Sequence, residues 1–231
     1  MQSKSAILAV IAALAALASA PAPAQPGEAS AAQLAVEAPA AAMAARQGLA
    51  DFVRQNLAEH GAGLPQGFVF DVAKAGDLAA VRVGQGVPVY SVTPQQLLAA
   101  DADLSRQMAP TGVWRFVAYL QQRPVGLVTV EKLDGRWQAT SFGAIGLARN
   151  LAALQTAYGD KTRFLRVYQA QSDFLEVAPA GGGKPRFAAL SSAYESLQLK
   201  RQADGGEALL DGAALIEPLR AAVRSNLARF R

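Results

Sequence analysis

The chain of 231 residues contains no cysteine and a single histidine, His60. The first absence excludes disulfides, thiolate metal sites, iron–sulfur clusters and cysteine nucleophiles, and the second excludes a site built from several imidazoles. No cofactor or metal is expected. Charged residues are only 17% of the chain against 52% hydrophobic, which excludes a disordered acidic or basic tail. Beyond the first twenty-odd residues, no apolar run approaches the length of a membrane-spanning helix. A net charge of +4 is mild for this length, and the basic residues do not interleave with aromatics on one face, so no nucleic-acid partner is expected.

Alanine is what the chain has in excess, 21 of the first 50 residues, so the hydrophobic fraction overstates the side chains that can fill a core. Lys4 precedes an apolar run from Ala6 to Ala20, and Ala22-Pro23-Ala24 offers a small-x-small cleavage site. That arrangement predicts a secretory signal peptide over 1–24 and a periplasmic or secreted mature protein. Without a cysteine to acylate, no lipid anchor is expected. Residues 25–44 read as an Ala/Pro-rich linker with little fixed structure, and 45–231 as one α+β globular domain.

Within that domain, Leu49, Phe52, Val53 and Leu57 trace a helical face that Gly61 and Gly63 stop. Short strands are expected at 68–72, 79–83 and 87–92. Thr93-Pro94-Gln95-Gln96 is a capping box with proline at the first helical position, predicting a helix to about Met108. Strands at 113–120, 125–132 and 137–142 follow, the last two joined through Asp134-Gly135, a pair suited to a turn with positive φ at both positions. Leu147, Leu151, Leu154 and Tyr158 predict a helix, 163–170 and 174–177 two strands, and Gly181-Gly182-Gly183 a loop. Ser192 with Glu195 has the spacing of a helix cap, and Leu219, Val223, Leu227 and Phe230 mark a last amphipathic helix. Hairpin-linked strands with helices between the groups predict an α+β fold: a mainly antiparallel sheet built as a β-meander from hairpins, with helices packed on one side.

Nucleophile signatures are missing: there is neither a Gly-x-Ser-x-Gly elbow nor a Ser-x-x-Lys pair. His60 ends a helix, where its charge suits the helix dipole. The acid pairs Asp101 and Asp103, Asp173 and Glu176, and Glu131 and Asp134 read as solvated turn and helix charges. Period-two spacing places Arg115 and Tyr119 on one face of a strand, and Arg166 and Tyr168 on one face of another. Aligned in one sheet, these four would make a basic and aromatic surface of the kind that partners contact. Gly143 and Gly146, at a strand-to-helix entry, are candidates for an anion held by backbone N–H groups. The Leu219–Phe230 helix with its arginines fits a helix covering a sheet better than one lying on a membrane. The expected function is an exported, non-enzymatic binding module engaging a protein, peptide or anionic partner. The alternative is a hydrolase using a carboxylate pair or a dispersed Ser–His pair.

Overall fold

Eight strands form one mixed sheet in the order β4-β3-β2-β1-β5-β6-β7-β8. The structure is a computed structural model describing residues 26–61, 63–159, 162–179, 183–200 and 208–229. The expected signal peptide and Phe230 lie outside the described residues, as do Gly181 and Gly182 of the glycine loop.

The chain begins in helix α1 (Pro26–His60), which takes in most of the stretch expected to be an unstructured linker. The correction has a simple physical basis. Alanine is the best helix former, and its small side chain lets a helix approach a sheet closely. Leu34, Ala41, Ala45 and Leu49 of α1 are all buried, at spacings of seven, four and four. At Gly48 the approach is close, for a Cβ there would stand 2.2 Å from the Cβ of Ala139. Gly61, at φ 49°, follows the last helical residue as expected.

Residues 68–72 do not form a strand. The segment passes beside the sheet, with the Asp71 N–H donating to the Val125 carbonyl at 2.8 Å, and a 3-10 turn (Ala75–Ala80) leads into β1 (Val81–Ser91). The two runs expected at 79–83 and 87–92 are thus one strand, bent by a register shift between Val83 and Gly86. Glycine is required at the bend: a Cβ on Gly86 would sit 2.3 Å from Phe116.

The capping box forms as expected. Gln96 N–H donates to Thr93 Oγ1 at 3.2 Å, and Thr93 N–H to Gln96 Oε1 at 2.8 Å. The helix it opens, α2 (Pro94–Leu98), stops well before Met108, and Asp103 caps a second short one, α3 (Leu104–Gln107). Strands β2 (Ala109–Leu120), β3 (Arg123–Leu133) and β4 (Arg136–Gly143) pair antiparallel in succession. Asp134 and Gly135 turn the β3–β4 hairpin with φ of 49° and 77°, the geometry their pairing predicts.

Helix α4 (Ile145–Tyr158) leads to β5 (Thr162–Val167), which pairs parallel with β1, the one parallel pairing among the described residues. A 3-10 turn (Tyr168–Ala170) precedes β6 (Ser172–Val177), which pairs antiparallel with β7 (Arg186–Ala189). Helix α5 (Ser191–Ser196), the edge strand β8 (Leu209–Asp211) and helix α6 (Gly212–Arg229) complete the described chain.

Helices cover both faces of the sheet, where the order of elements suggested one. Phe116 belongs to a buried cluster with Leu49 of α1 and Leu219 and Val223 of α6. Its neighbour Val117 belongs to another, with Ala148, Leu151 and Leu154 of α4. Successive strand residues face opposite ways, so α1 and α6 lie on one side and α4 on the other. Of the apolar stripe of α6, Leu219 and Val223 are wholly buried, while Leu227 farther along is exposed.

Candidate functional site

The β5–β6 hairpin carries an arginine–carboxylate pair on each of its faces. Its register sets Arg166 opposite Asp173 and Arg163 opposite Glu176. On the face shared with α1, Arg163 grips the buried Glu176 through both carboxylate oxygens and stacks 5.3 Å from the centre of the Tyr90 ring. On the α4 side, Arg166 Nη1 donates to both oxygens of Asp173, at 2.8 and 2.7 Å. Asp173 and Glu176 therefore never meet as an acid pair: three residues apart in a strand, they point to opposite faces.

Asp173 is 3% exposed and is the hub of the second group. The Ser192 hydroxyl donates to its Oδ2 at 2.9 Å and accepts from its backbone N–H at the same distance. Ser192 does not make the helix cap its spacing with Glu195 suggested: the N-cap of α5 is Leu190, with no side-chain cap, and the Ser192 hydroxyl is engaged by Asp173. Arg115 approaches from β2 across β1. Its Nη1 stands 3.7 Å from Asp173 Oδ1, and its guanidinium lies 4.5 Å over the Phe164 ring. That nitrogen is buried without a hydrogen-bond partner. Burial pulls the Arg115 pKa below its ordinary value, with Asp173 opposing. An arginine stays charged at neutral pH all the same. Two guanidinium groups thus share one carboxylate.

A cavity of about 580 Å³ adjoins this group, lined by Arg166, Tyr168, Gln171, Ser192, Glu195 and Ser196. Tyr168 is 44% exposed and its ring lies 5.4 Å from the Arg166 guanidinium carbon. It belongs to the 3-10 turn after β5 and not to the strand itself, so the expected alternation ends one step earlier. Of the four residues expected on one surface, the fold gathers Arg115, Arg166 and Tyr168. Tyr119 stands apart: four residues along β2 from Arg115 is about 13 Å. It pairs in register with Arg82 and packs against Gly84, and burial pushes its phenol up. Asp173, which joins the two arginines, and Ser192, which bonds to Asp173, were not among the expected surface residues. An acid opposite an arginine across a hairpin was the available signal, but it needs the register first.

The chain matches no family model, no curated protein and no solved structure. What this site does has to be read from its own geometry.

Gly143 and Gly146 bracket a tight entry into α4. Gly143 has φ 124° and packs against Val69, and Ala144 between them takes the left-handed conformation at φ 53° without capping the helix by a side chain. Nearby, Asp71 draws in Arg123 and Arg149, so the basic side chains of this end are already paired. His60 ends α1 with its ring edge-on to Phe68, at 6.4 Å between centres. Among the described residues, no serine or carboxylate bonds its ring.

Proposed function

We propose that this is an exported, non-enzymatic binding module that takes an acidic group of a protein or peptide partner in the cavity beside Arg166 and Tyr168. The observation that carries the reading is the imbalance at Asp173. One buried carboxylate faces two guanidinium groups, and one nitrogen of the deeper arginine is left without a hydrogen bond. Glu195 at the rim is exposed, so solvent screens much of its opposing charge. A half-exposed tyrosine stacked on an arginine is also the kind of pair that anchors protein interfaces. Export is supported by the Lys4 and Ala6–Ala20 segment followed by Ala22-Pro23-Ala24. Among the described residues, no helix is long and apolar enough to cross a membrane.

The test is selection of a random peptide library on the purified protein, followed by calorimetry of the recovered peptides. The expected peptides carry a carboxylate, lose about tenfold in affinity when it is amidated, and lose a similar factor against Tyr168→Ala. Peptides that bind Tyr168→Ala as well as the parent protein, or that need no carboxylate, would remove the reading.

A further inference from the structure

On the other face of the sheet, α1 runs alongside β1 without closing on it. Two cavities open between them, of about 690 and 550 Å³, both within the usual size of small-molecule sites. Arg46 lines both, so it stands where they adjoin. The larger exists because α1 presents only Ala35, Ala38 and Ala42 to Trp114 and Phe116, and methyl groups cannot fill the gap. The smaller is walled by Leu49, Val53 and Leu57 of α1 and by Leu78, Val81 and Val83 opposite.

The charges around this groove are of one sign. Arg46, Arg54 and Arg82 line the smaller cavity and Arg163 the larger, with no acidic residue lining either. Three of these arginines are engaged: Arg54 with Asp51, Arg82 with the carbonyls of Ala79 and Val81, and Arg163 with Glu176. Arg46 is exposed and makes no hydrogen bond or ion pair among the described residues. Trp114 lines the larger cavity at 5% exposure, and its indole N–H, like Nη1 of Arg115, is a buried side-chain donor without a partner among the described residues.

We infer that this groove is a binding site for a free, straight-chain aliphatic carboxylate. The carboxylate sits on Arg46 and the chain lies in the smaller cavity toward Leu57. From Arg46 to Leu57 is about 16 Å along the helix, a span that suits a chain of about twelve carbons. An apolar trough explains the tail, and an unpaired arginine at its end explains the head. The all-basic lining rejects a cationic amphiphile of the same length. This site stands independently of the Arg166 cavity, since no residue lines both.

Calorimetric titration of the purified full chain with dodecanoate, below its micelle concentration, tests the inference. The result expected is one-site binding, with dodecyltrimethylammonium giving none. Arg46→Gln should weaken dodecanoate by about tenfold, the loss of one charge-assisted hydrogen bond, while leaving dodecanol binding unchanged. Leu57→Trp, which fills the trough, should weaken both the acid and the alcohol. Melting temperature and circular dichroism of each variant show that it is folded; Arg46 has no partner to lose, so its variant should match the parent in both. Absence of dodecanoate binding up to about 1 mM, equal binding of the cationic analogue, or an Arg46→Gln titration superimposing on the parent would overturn the inference.

Discussion

Asp173 accepts two hydrogen bonds from one nitrogen of Arg166, at 2.8 and 2.7 Å, and stands 3.7 Å from Nη1 of Arg115. The arrangement ties the β5–β6 hairpin, which carries Arg166 and Asp173, to the distant strand β2, which carries Arg115. It is also where stability and the proposed binding meet, because Arg166 both holds Asp173 and lines the cavity.

Removing Asp173 therefore tests the balance directly. Asp173→Asn leaves the largely buried Arg115 and the partly buried Arg166 with no counter-charge and should cost up to about 3 kcal/mol. Arg115→Met should cost less, because the nitrogen nearest Asp173 makes no hydrogen bond and a methionine still packs on Phe164. In the double variant Arg115→Met should recover part of the Asp173→Asn loss, since it removes one of the stranded charges. Urea unfolding of the four proteins measures all three statements; strictly additive losses would show that Arg115 and Asp173 do not sense each other.

Gly48 is set by contact, and helix propensity points the other way. An alanine there should favour an isolated helix by about 1 kcal/mol, yet its Cβ would press on Ala139 at 2.2 Å. Gly48→Ala is expected to destabilise the protein by about 1–3 kcal/mol. Ala139→Gly in β4 should restore part of that loss by clearing the contact. A thermal melt of the single and double variants decides it, and a stabilised Gly48→Ala would mean that α1 stands farther from β4.

Acid should weaken the contact between α1 and β3. Lys132 Nζ donates to Glu37 Oε1 at 2.9 Å, and that hydrogen bond holds the Glu37 carboxyl below its ordinary pKa, against the opposing effect of burial. A carboxyl whose pKa is lowered by folding stabilises the fold at pH values above its unfolded pKa. The contribution fades as pH falls through the folded value. Lys132→Met should remove this fading and flatten the acid limb between neutral pH and about pH 3. Unfolding midpoints of parent and variant across that range check it; parallel curves would show that the pair contributes nothing.

Thr93 and Arg220 hold the two ends of α2. Thr93→Ala breaks the capping box and should cost about 1 kcal/mol. At the other end, Arg220 of α6 donates to the carbonyls of Leu97 and Ala99, with the Leu97 bond at 2.7 Å. Arg220→Met leaves both carbonyls without that donor and should cost about 1–3 kcal/mol. Amide exchange within 94–99 gives the local readout. Unchanged protection in Arg220→Met would mean that α2 ends where it does for reasons of its own sequence.

Local features of the fold were legible wherever neighbouring residues decide the backbone. The Thr93–Gln96 box, the Asp134–Gly135 turn and the end of α1 at Gly61 are all matters of a few dihedral angles and nearby hydrogen bonds, and each formed as its residues predict. Alternation along β2 was equally readable, and it put Trp114 and Phe116 on one face and Arg115 and Val117 on the other. The mainly antiparallel α+β class followed from the spacing of strands and turns.

Tertiary structure decided the rest, because each remaining point depends on what comes near from far along the chain. Alanine-rich 26–44 reads as featureless until a sheet stands beside it to bury Leu34 and Ala41. The end of α2 falls at Leu98 beside an arginine more than a hundred residues away. Tyr119 lies four residues from Arg115 along β2 and stays apart, whereas Tyr168 lies two residues from Arg166 in the turn that follows β5, where its ring meets the guanidinium. Asp173 became the partner of Arg166 through strand register, and of Arg115 through the parallel pairing of β1 with β5. Local preference is written in adjacent residues; which charge meets which is settled only when the strands take their order.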